Sequence, residues 1–156
     1  MAYISLTDQI TDYFKRFVEF GCEVLLKDNI EGLVNLEHLI REEYDKIKEN
    51  NDYLLVATTQ LVSPYTELFK KNGNKLSVSD ADAFIISLES RGLLDEEAHN
   101  TIDLFFTSVH EDDLHKLVRY IELLCKLMYQ YGESVRQTFA AMGISIPDAQ
   151  TQTPSE

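Results

Sequence analysis

The chain has 156 residues and a mass of 18.0 kDa, about the size of one ordinary domain. Its 27 acidic residues outnumber 14 Lys and Arg, and the resulting net charge of −13 argues against direct binding to nucleic acid. An apolar fraction of 44% is normal for a globular chain, while six Gly and three Pro provide few turns for a many-stranded sheet. We therefore expect an all-α fold. No apolar run approaches the roughly 20 residues of a membrane span, so we expect no membrane association.

Apolar residues recur at helical spacing along most of the chain, which predicts an irregular bundle of five to six helices. The first helix is predicted to begin at Ser5 or Thr7, because both side chains favour the N-cap position, and to end near Lys27.

The second helix is predicted to follow Asp28 or Asn29, either of which would be its N-cap. It stops at residues 50–52, which are Asn, Asn and Asp and favour turns, and the third helix begins there. Pro64 removes a backbone donor and clashes with the preceding turn, so we expect a break there. A short helix from about 64 to 71 completes this part of the chain.

Three further helices are predicted after a loop at residues 70–75. Ser79 caps a helix that runs through Arg91, and Asp95 caps another. Glu111 begins the last helix, which reaches Met142 and is about 48 Å long at 1.5 Å per residue. The residues predicted to face inward from the first two of these helices are Ala81, Phe84, Ile85, Leu88, Ala98, Ile102, Phe105, Phe106 and Val109.

The last helix is longer than a compact bundle of this size requires. Its apolar seam, residues 114–142, leaves two alternatives open: earlier helices wrap its whole length, or part of the seam meets a second copy in a homodimer. We predict that residues 1–143 form a single helical domain. Residues 144–156, with two Pro and a Gln, Thr and Ser run, are predicted to be a disordered tail.

The two cysteines indicate the compartment. Cys22 and Cys125 both lie within apolar helical patterns, without a neighbouring Cys or His at ligand spacing, so we expect buried, reduced thiols. The first residues lack the basic stretch of a signal peptide. Together these features predict a cytoplasmic, reducing location. Whether the source is a cell or a virus stays open.

The negative charge is concentrated in one region. Residues 1–78 have 13 acids and 9 bases, net −4, and residues 114–156 have 4 of each. Residues 79–113 have ten acids and one base, Arg91, which gives net −9 in 35 residues.

These acids have two interpretations. Three groups of them, Asp80 with Asp82, residues 95–97 and residues 111–113, lie in the first turns of predicted helices, where carboxylates complement the helix dipole without any partner. Alternatively, neighbouring helix starts form one acidic face that binds a basic protein, in an inhibitor, immunity-type, DNA-mimic or regulatory role. On the second interpretation we predict a non-enzymatic interaction protein. The predicted contact residues are Asp95, Glu96, Glu97, Glu111, Asp112 and Asp113, with Asp80 and Asp82 at the edge.

No candidate catalytic or metal-binding motif has the residue spacing that its chemistry requires, so no catalytic residue, metal ligand or cofactor is expected. A zinc helix needs two His four positions apart, whereas His110 and His115 are five apart and about 140° round a helix. Glu96 and His99 have the spacing used in di-iron bundles, yet they lie beside the predicted inward stripe.

One enzymatic alternative stays open. Two carboxylate pairs, spaced three residues apart, are similar to those with which all-helical nucleotide pyrophosphohydrolases hold Mg²⁺; the pairs are Glu42 with Asp45 and Glu49 with Asp52. Lysines interleave with these acids, which favours a solvent face with short-range ion pairs instead.

Overall fold

The computed structural model describes residues 5–143. This part of the chain is mostly helical and contains no strand, which confirms the all-α prediction, and six of its α-helices have eight or more residues. The helices are α1 (Leu6–Leu26), α2 (Glu31–Ile47), α3 (Asn51–Val62), α4 (Thr66–Lys71), α5 (Ala83–Ser90), α6 (Glu96–Ser108) and α7 (Glu111–Ala141), with 3-10 turns at Ser63–Tyr65 and Val78–Asp80. The predicted tail, residues 144–156, lies outside the described residues.

Helices α1 and α7 run antiparallel and form the centre of the fold. Lys27, just after α1, contacts Asp113 in the first turn of α7. Two turns further along α7, Tyr120 contacts Phe17 of α1, with ring centroids 6.4 Å apart. Helices α2 and α3 pack against the other sides of α1. The most deeply buried side chains come from α1, α3 and α7 and are Ile10, Cys22, Leu54, Thr58 and Leu124.

Several helix ends follow directly from local side-chain chemistry. Ser5 accepts a hydrogen bond from the Asp8 backbone N–H, at 3.2 Å, and so caps α1 as predicted. Pro64 lies in the first 3-10 turn, so the predicted break between α3 and α4 is confirmed. The predicted ends of α5 and α7 are confirmed as well, because Gly92 and Gly143 adopt the positive φ that commonly terminates a helix.

Two predicted N-caps are wrong. Neither Asp28 nor Asn29 caps α2, whose N-cap is Ile30 and has no side-chain hydrogen bond. Asn29 adopts a left-handed φ of 52°, and the Asp28 carboxylate contacts His110 at 3.3 Å instead. Ser79 does not begin α5 either.

The start of α5 is delayed by a separate turn. Ser77 and Asp80 form a capping box around the second 3-10 turn, in which the Asp80 carboxylate accepts the Ser77 backbone N–H at 2.9 Å. Helix α5 therefore begins only at Ala83, four residues after the predicted cap.

Helices α5 and α6 form a loosely packed layer whose main contacts are with α2 and with a 3-10 turn, and not with α1 and α7. The apolar side chains predicted to face inward from them are only half-buried, and neither helix has a fully buried residue. Helix α6 packs against α2, where the Leu104 side chain lies close to Gly32, and α5 packs against the 3-10 turn at Ser63–Tyr65. The prediction that these side chains face inward therefore overestimated their burial in both helices.

The two ends of α7 differ in burial. Its seam is buried from Leu117 to Leu127, where α1 lies alongside. Beyond that point Tyr131, Val135 and Phe139 are half-buried, and Met142 is 65% exposed. Within the described residues, the earlier helices therefore bury the seam over slightly more than the first half of α7 and leave its last turns partly open.

Candidate functional site

The predicted contact acids have different local roles. The Asp95 carboxylate accepts the Ala98 backbone N–H at 2.8 Å and caps α6, and Asp80 is engaged in its capping box. Asp82 occupies the N-cap position of α5 with an exposed side chain that makes no capping hydrogen bond. The other exposed acids of the set lie in the first turns of α6 and α7 and are Glu96, Glu97, Glu111 and Asp112.

Asp113 is placed differently from the rest of the set. Its side chain is only 8% exposed, and its Oδ2 atom accepts a hydrogen bond from the Lys27 ammonium at 2.8 Å. The Lys27 pKa is raised by this hydrogen bond and by the surrounding carboxylates. Asp113 thus joins α7 to the end of α1, and its charge is compensated within the chain.

The acids of residues 95–97 and 111–113, which we call the α6 run and the α7 run, lie at opposite ends of α6. The α6 run is next to the end of α5, because His99 contacts Glu89 at 3.4 Å. The α7 run is next to the turn between α1 and α2, through Asp28 and Lys27. A helix of 13 residues separates the two runs by about 20 Å. The acids therefore form two patches and not one continuous face.

Charge compensation also differs along the chain. In the first half, salt bridges to Lys or Arg engage Asp12, Glu37, Glu43 and Asp45. Residues 79–113 contain ten acids. Among residues 5–143, one of these acids, Asp113, forms a salt bridge with a Lys or Arg. Salt bridges to Lys or Arg therefore compensate little of the negative charge of this segment, although Glu89 contacts His99 at 3.4 Å and Glu111 contacts His115 at 3.8 Å.

Sequence reasoning missed an apolar cavity of about 280 Å³ between the central helices and the α5–α6 layer. Six of its lining residues, Ala81, Phe84, Ile85, Ile102, Phe105 and Phe106, were predicted to face inward, and nothing in their spacing indicates that they leave a space. The lining comprises Phe17, Val18, Gly21, Cys22, Leu25, Leu36, Ile40, Leu61, Tyr65, Ala81, Phe84, Ile85, Ile102, Phe105, Phe106, Leu114, Leu117, Val118 and Ile121.

Polar side-chain atoms in the cavity wall are few and already engaged. The Tyr65 hydroxyl donates a hydrogen bond to the Ala81 carbonyl oxygen at 2.6 Å, and burial raises the pKa of Tyr65 to about 12. Burial also raises the pKa of the Cys22 thiol, beside which lie Glu37 and Arg41, so this group is uncharged at neutral pH. The wall therefore offers hydrocarbon contacts and no charge.

Both cysteines are free and buried, as predicted. Burial, with a smaller contribution from Glu122, raises the pKa of Cys125 to about 12. Neither thiol has the lowered pKa of a nucleophilic cysteine.

No metal centre is assembled by the part of the chain that the structure describes, where no three His, Cys, Asp or Glu side chains converge suitably. Glu42, Asp45, Glu49 and Asp52 are all exposed, and Asp45 contacts Lys48 at 3.0 Å. In the same residues, no helix has the length and apolar character needed to cross a membrane.

Comparisons of the chain with protein-family models, curated proteins and solved structures find no match.

Proposed function

We propose that this chain is a non-enzymatic interaction protein that binds a basic protein partner through the acidic surface of residues 79–113. The observation that supports the proposal is the shortage of internal cations: one of the ten acids in this segment, Asp113, has a Lys or Arg salt-bridge partner among residues 5–143. Carboxylates without a nearby cation retain their full attraction for a basic surface.

The exposed acids of the α6 run and the α7 run are the primary contacts, and Asp80 and Asp82 lie at the edge. Asp113 contributes by fixing the start of α7. The runs are about 20 Å apart, which exceeds the Debye length of about 8 Å at physiological salt, so each attracts the partner separately. A standard interface of about 800 Å² per partner is roughly 28 Å across and covers both.

Charge reversal of each run tests the proposal. The variants are Glu96→Lys with Glu97→Lys, Glu111→Lys with Asp112→Lys, and the combination of all four. The matched control is Glu42→Lys with Glu49→Lys, which makes the same charge change as either double variant on exposed residues elsewhere. Partners are captured from the native host, identified by mass spectrometry, purified and measured for association rate at several salt concentrations.

We expect a basic partner whose association rate falls roughly tenfold or more in the combined variant, with a flatter salt dependence. The control variant should retain the wild-type rate. An acidic partner, or a partner that associates equally fast with the combined variant, would contradict the proposal.

A second candidate function is self-assembly through the last turns of α7. The half-buried seam residues Tyr131, Val135 and Phe139, together with the 65% exposed Met142, favour it. Sedimentation equilibrium should then give a mass that rises with concentration for the wild type and not for Val135→Asp with Phe139→Asp. Gln137→Asp, on an exposed position of the same segment, is the control. A monomer at all concentrations excludes this function.

A further inference from the structure

We propose that the cavity between the central helices and the α5–α6 layer is a binding site for an uncharged, apolar small molecule. This site is independent of the acidic surface and of the function proposed above. Its rigid wall consists of buried residues of α1 and α7, among them Cys22, Leu117 and Ile121. Its other wall consists of half-buried residues of α5 and α6, among them Phe84 and Phe105.

The lining determines the chemistry of the ligand. No charged side chain contributes to the wall, and the Tyr65 hydroxyl is already hydrogen-bonded to Ala81 at 2.6 Å. A charged or strongly polar ligand would lose its hydration here without gaining partners in return. An apolar ligand loses nothing by leaving water, and it regains the dispersion contacts that an empty cavity lacks.

The volume determines the size of the ligand. An apolar cavity of about 150 Å³ stays dry and binds benzene, and the cavity here, at about 280 Å³, is nearly twice as large. It suits a bicyclic aromatic molecule or an alkyl chain of medium length.

The α5–α6 layer offers a route of entry. Neither helix has a fully buried residue, whereas several wall residues of α1 and α7 are buried, among them Cys22, Leu117 and Val118. Segments with few buried contacts open locally at a much lower free energy than the whole fold. A ligand can therefore enter by displacement of this layer while α1 and α7 stay packed.

The test uses the uncharged fluorescent probe N-phenyl-1-naphthylamine, whose emission rises in apolar surroundings. The chain has no Trp, so its own fluorescence interferes little. We expect saturable binding of one probe per chain. Gly21→Leu places a side chain in the cavity, since a Cβ at Gly21 meets only Leu117 Cδ2, at 3.9 Å, and should weaken binding at least tenfold.

Two further variants make the result decisive. Gly132→Leu is the matched control, because a Cβ at Gly132 meets no atom within 4 Å and the residue does not line this cavity; its affinity should equal that of the wild type. Ala81→Leu reduces the cavity from the opposite wall and should also weaken binding, so the test stands even if Gly21→Leu does not fold. Far-UV circular dichroism and urea unfolding check the fold of each variant.

Several outcomes would overturn the proposal. These are the absence of saturable probe binding to the wild type, or unchanged affinity in a folded Gly21→Leu or Ala81→Leu variant. Binding that falls as the protein concentration rises would also overturn it, because a second copy of the chain would then cover the cavity.

Discussion

The Lys27 ammonium and the buried Asp113 carboxylate, 2.8 Å apart, join the end of α1 to the start of α7. The two side chains differ sharply in environment: that of Lys27 is 52% exposed and that of Asp113 is 8% exposed. The carboxylate also lies in the first turn of α7, where the helix dipole favours negative charge. Asp113, which alone among the acids of residues 79–113 has a Lys or Arg salt-bridge partner within residues 5–143, thus fixes the two central helices.

Asp113→Asn should lower the free energy of unfolding by about 1 kcal/mol, because it removes both the charge-assisted hydrogen bond and the favourable interaction with the helix dipole. Lys27→Met should also destabilise the fold, since it leaves a buried carboxylate without its cation. Urea denaturation of both variants and of the double variant measures the coupling. A double variant whose loss equals the sum of the single losses would show that the pair does not interact.

The contribution of this pair should disappear only in alkaline solution. The Lys27 pKa is raised in the folded state, so the stabilisation is complete below the ordinary lysine value of 10.5 and is lost as the pH rises through the higher folded value. Unfolding should therefore be measured from pH 8 to pH 11 for the wild type and for Lys27→Met. The difference between their free energies of unfolding should become smaller at the alkaline end.

Gly21→Ala should stabilise the protein by about 0.5–1 kcal/mol, because alanine loses less backbone entropy than glycine in a helix interior. The added Cβ meets only Leu117 Cδ2, at the ordinary contact distance of 3.9 Å. Gly92→Ala should have the opposite effect, about 1–2 kcal/mol of destabilisation, because Gly92 has a φ of +69°. Thermal and urea unfolding of the two variants provide the comparison, and a loss of stability in Gly21→Ala would contradict the packing described for α1.

The features predicted correctly from sequence are those that depend on a few neighbouring residues. Asp95 caps α6 through an N–H three residues on, and Pro64 breaks the chain by its own geometry. Asp28 was predicted wrongly because its partner is His110, which the fold brings to it from a distant part of the sequence. A local pattern has no access to such a contact.

The same limit explains the cavity and the division of the acidic surface. Helical spacing indicated that Phe84 and Phe105 face inward, but their incomplete burial depends on how α5 and α6 pack against the rest of the fold. The count of acids in residues 79–113 was available from the sequence. The separation of about 20 Å between the two runs follows from the length of α6, whereas their different neighbours, the end of α5 and the turn between α1 and α2, depend on the fold.

Both cysteines should react slowly with thiol reagents at pH 8 in the native protein and rapidly in urea. The thiolate is the reactive form, and the pKa of Cys125 is raised to about 12, so almost none of it is ionised. An exposed thiol introduced by Ser90→Cys should react rapidly in the native protein and serves as the control. Equal rates in the native and denatured states would contradict the burial of the two native thiols.

Cys125 should also make the fold sensitive to alkaline pH. Between its ordinary pKa of 9.0 and its folded value of about 12, the unfolded chain releases the thiol proton while the folded chain keeps it. Stability should therefore fall as the pH rises through this interval. In Cys125→Ala the free energy of unfolding should fall less steeply with pH over this interval. If it falls as steeply as in the wild type, other groups cause the alkaline loss of stability.

Tyr65→Phe should loosen the wall that α5 contributes to the cavity. The change removes the hydroxyl that donates to the Ala81 carbonyl oxygen at 2.6 Å, which should cost about 1 kcal/mol and leave that oxygen without its partner. Because Ala81 lies just before α5, the amides of Ala83–Ser90 should exchange with deuterium faster, while those of α1 change little. Tyr44→Phe is the matched control, since its hydroxyl donates to Glu19 at 3.2 Å, on α1, and should leave α5 exchange unchanged. Equal acceleration of α5 exchange by both variants would show that the Tyr65 hydrogen bond does not hold α5 in place.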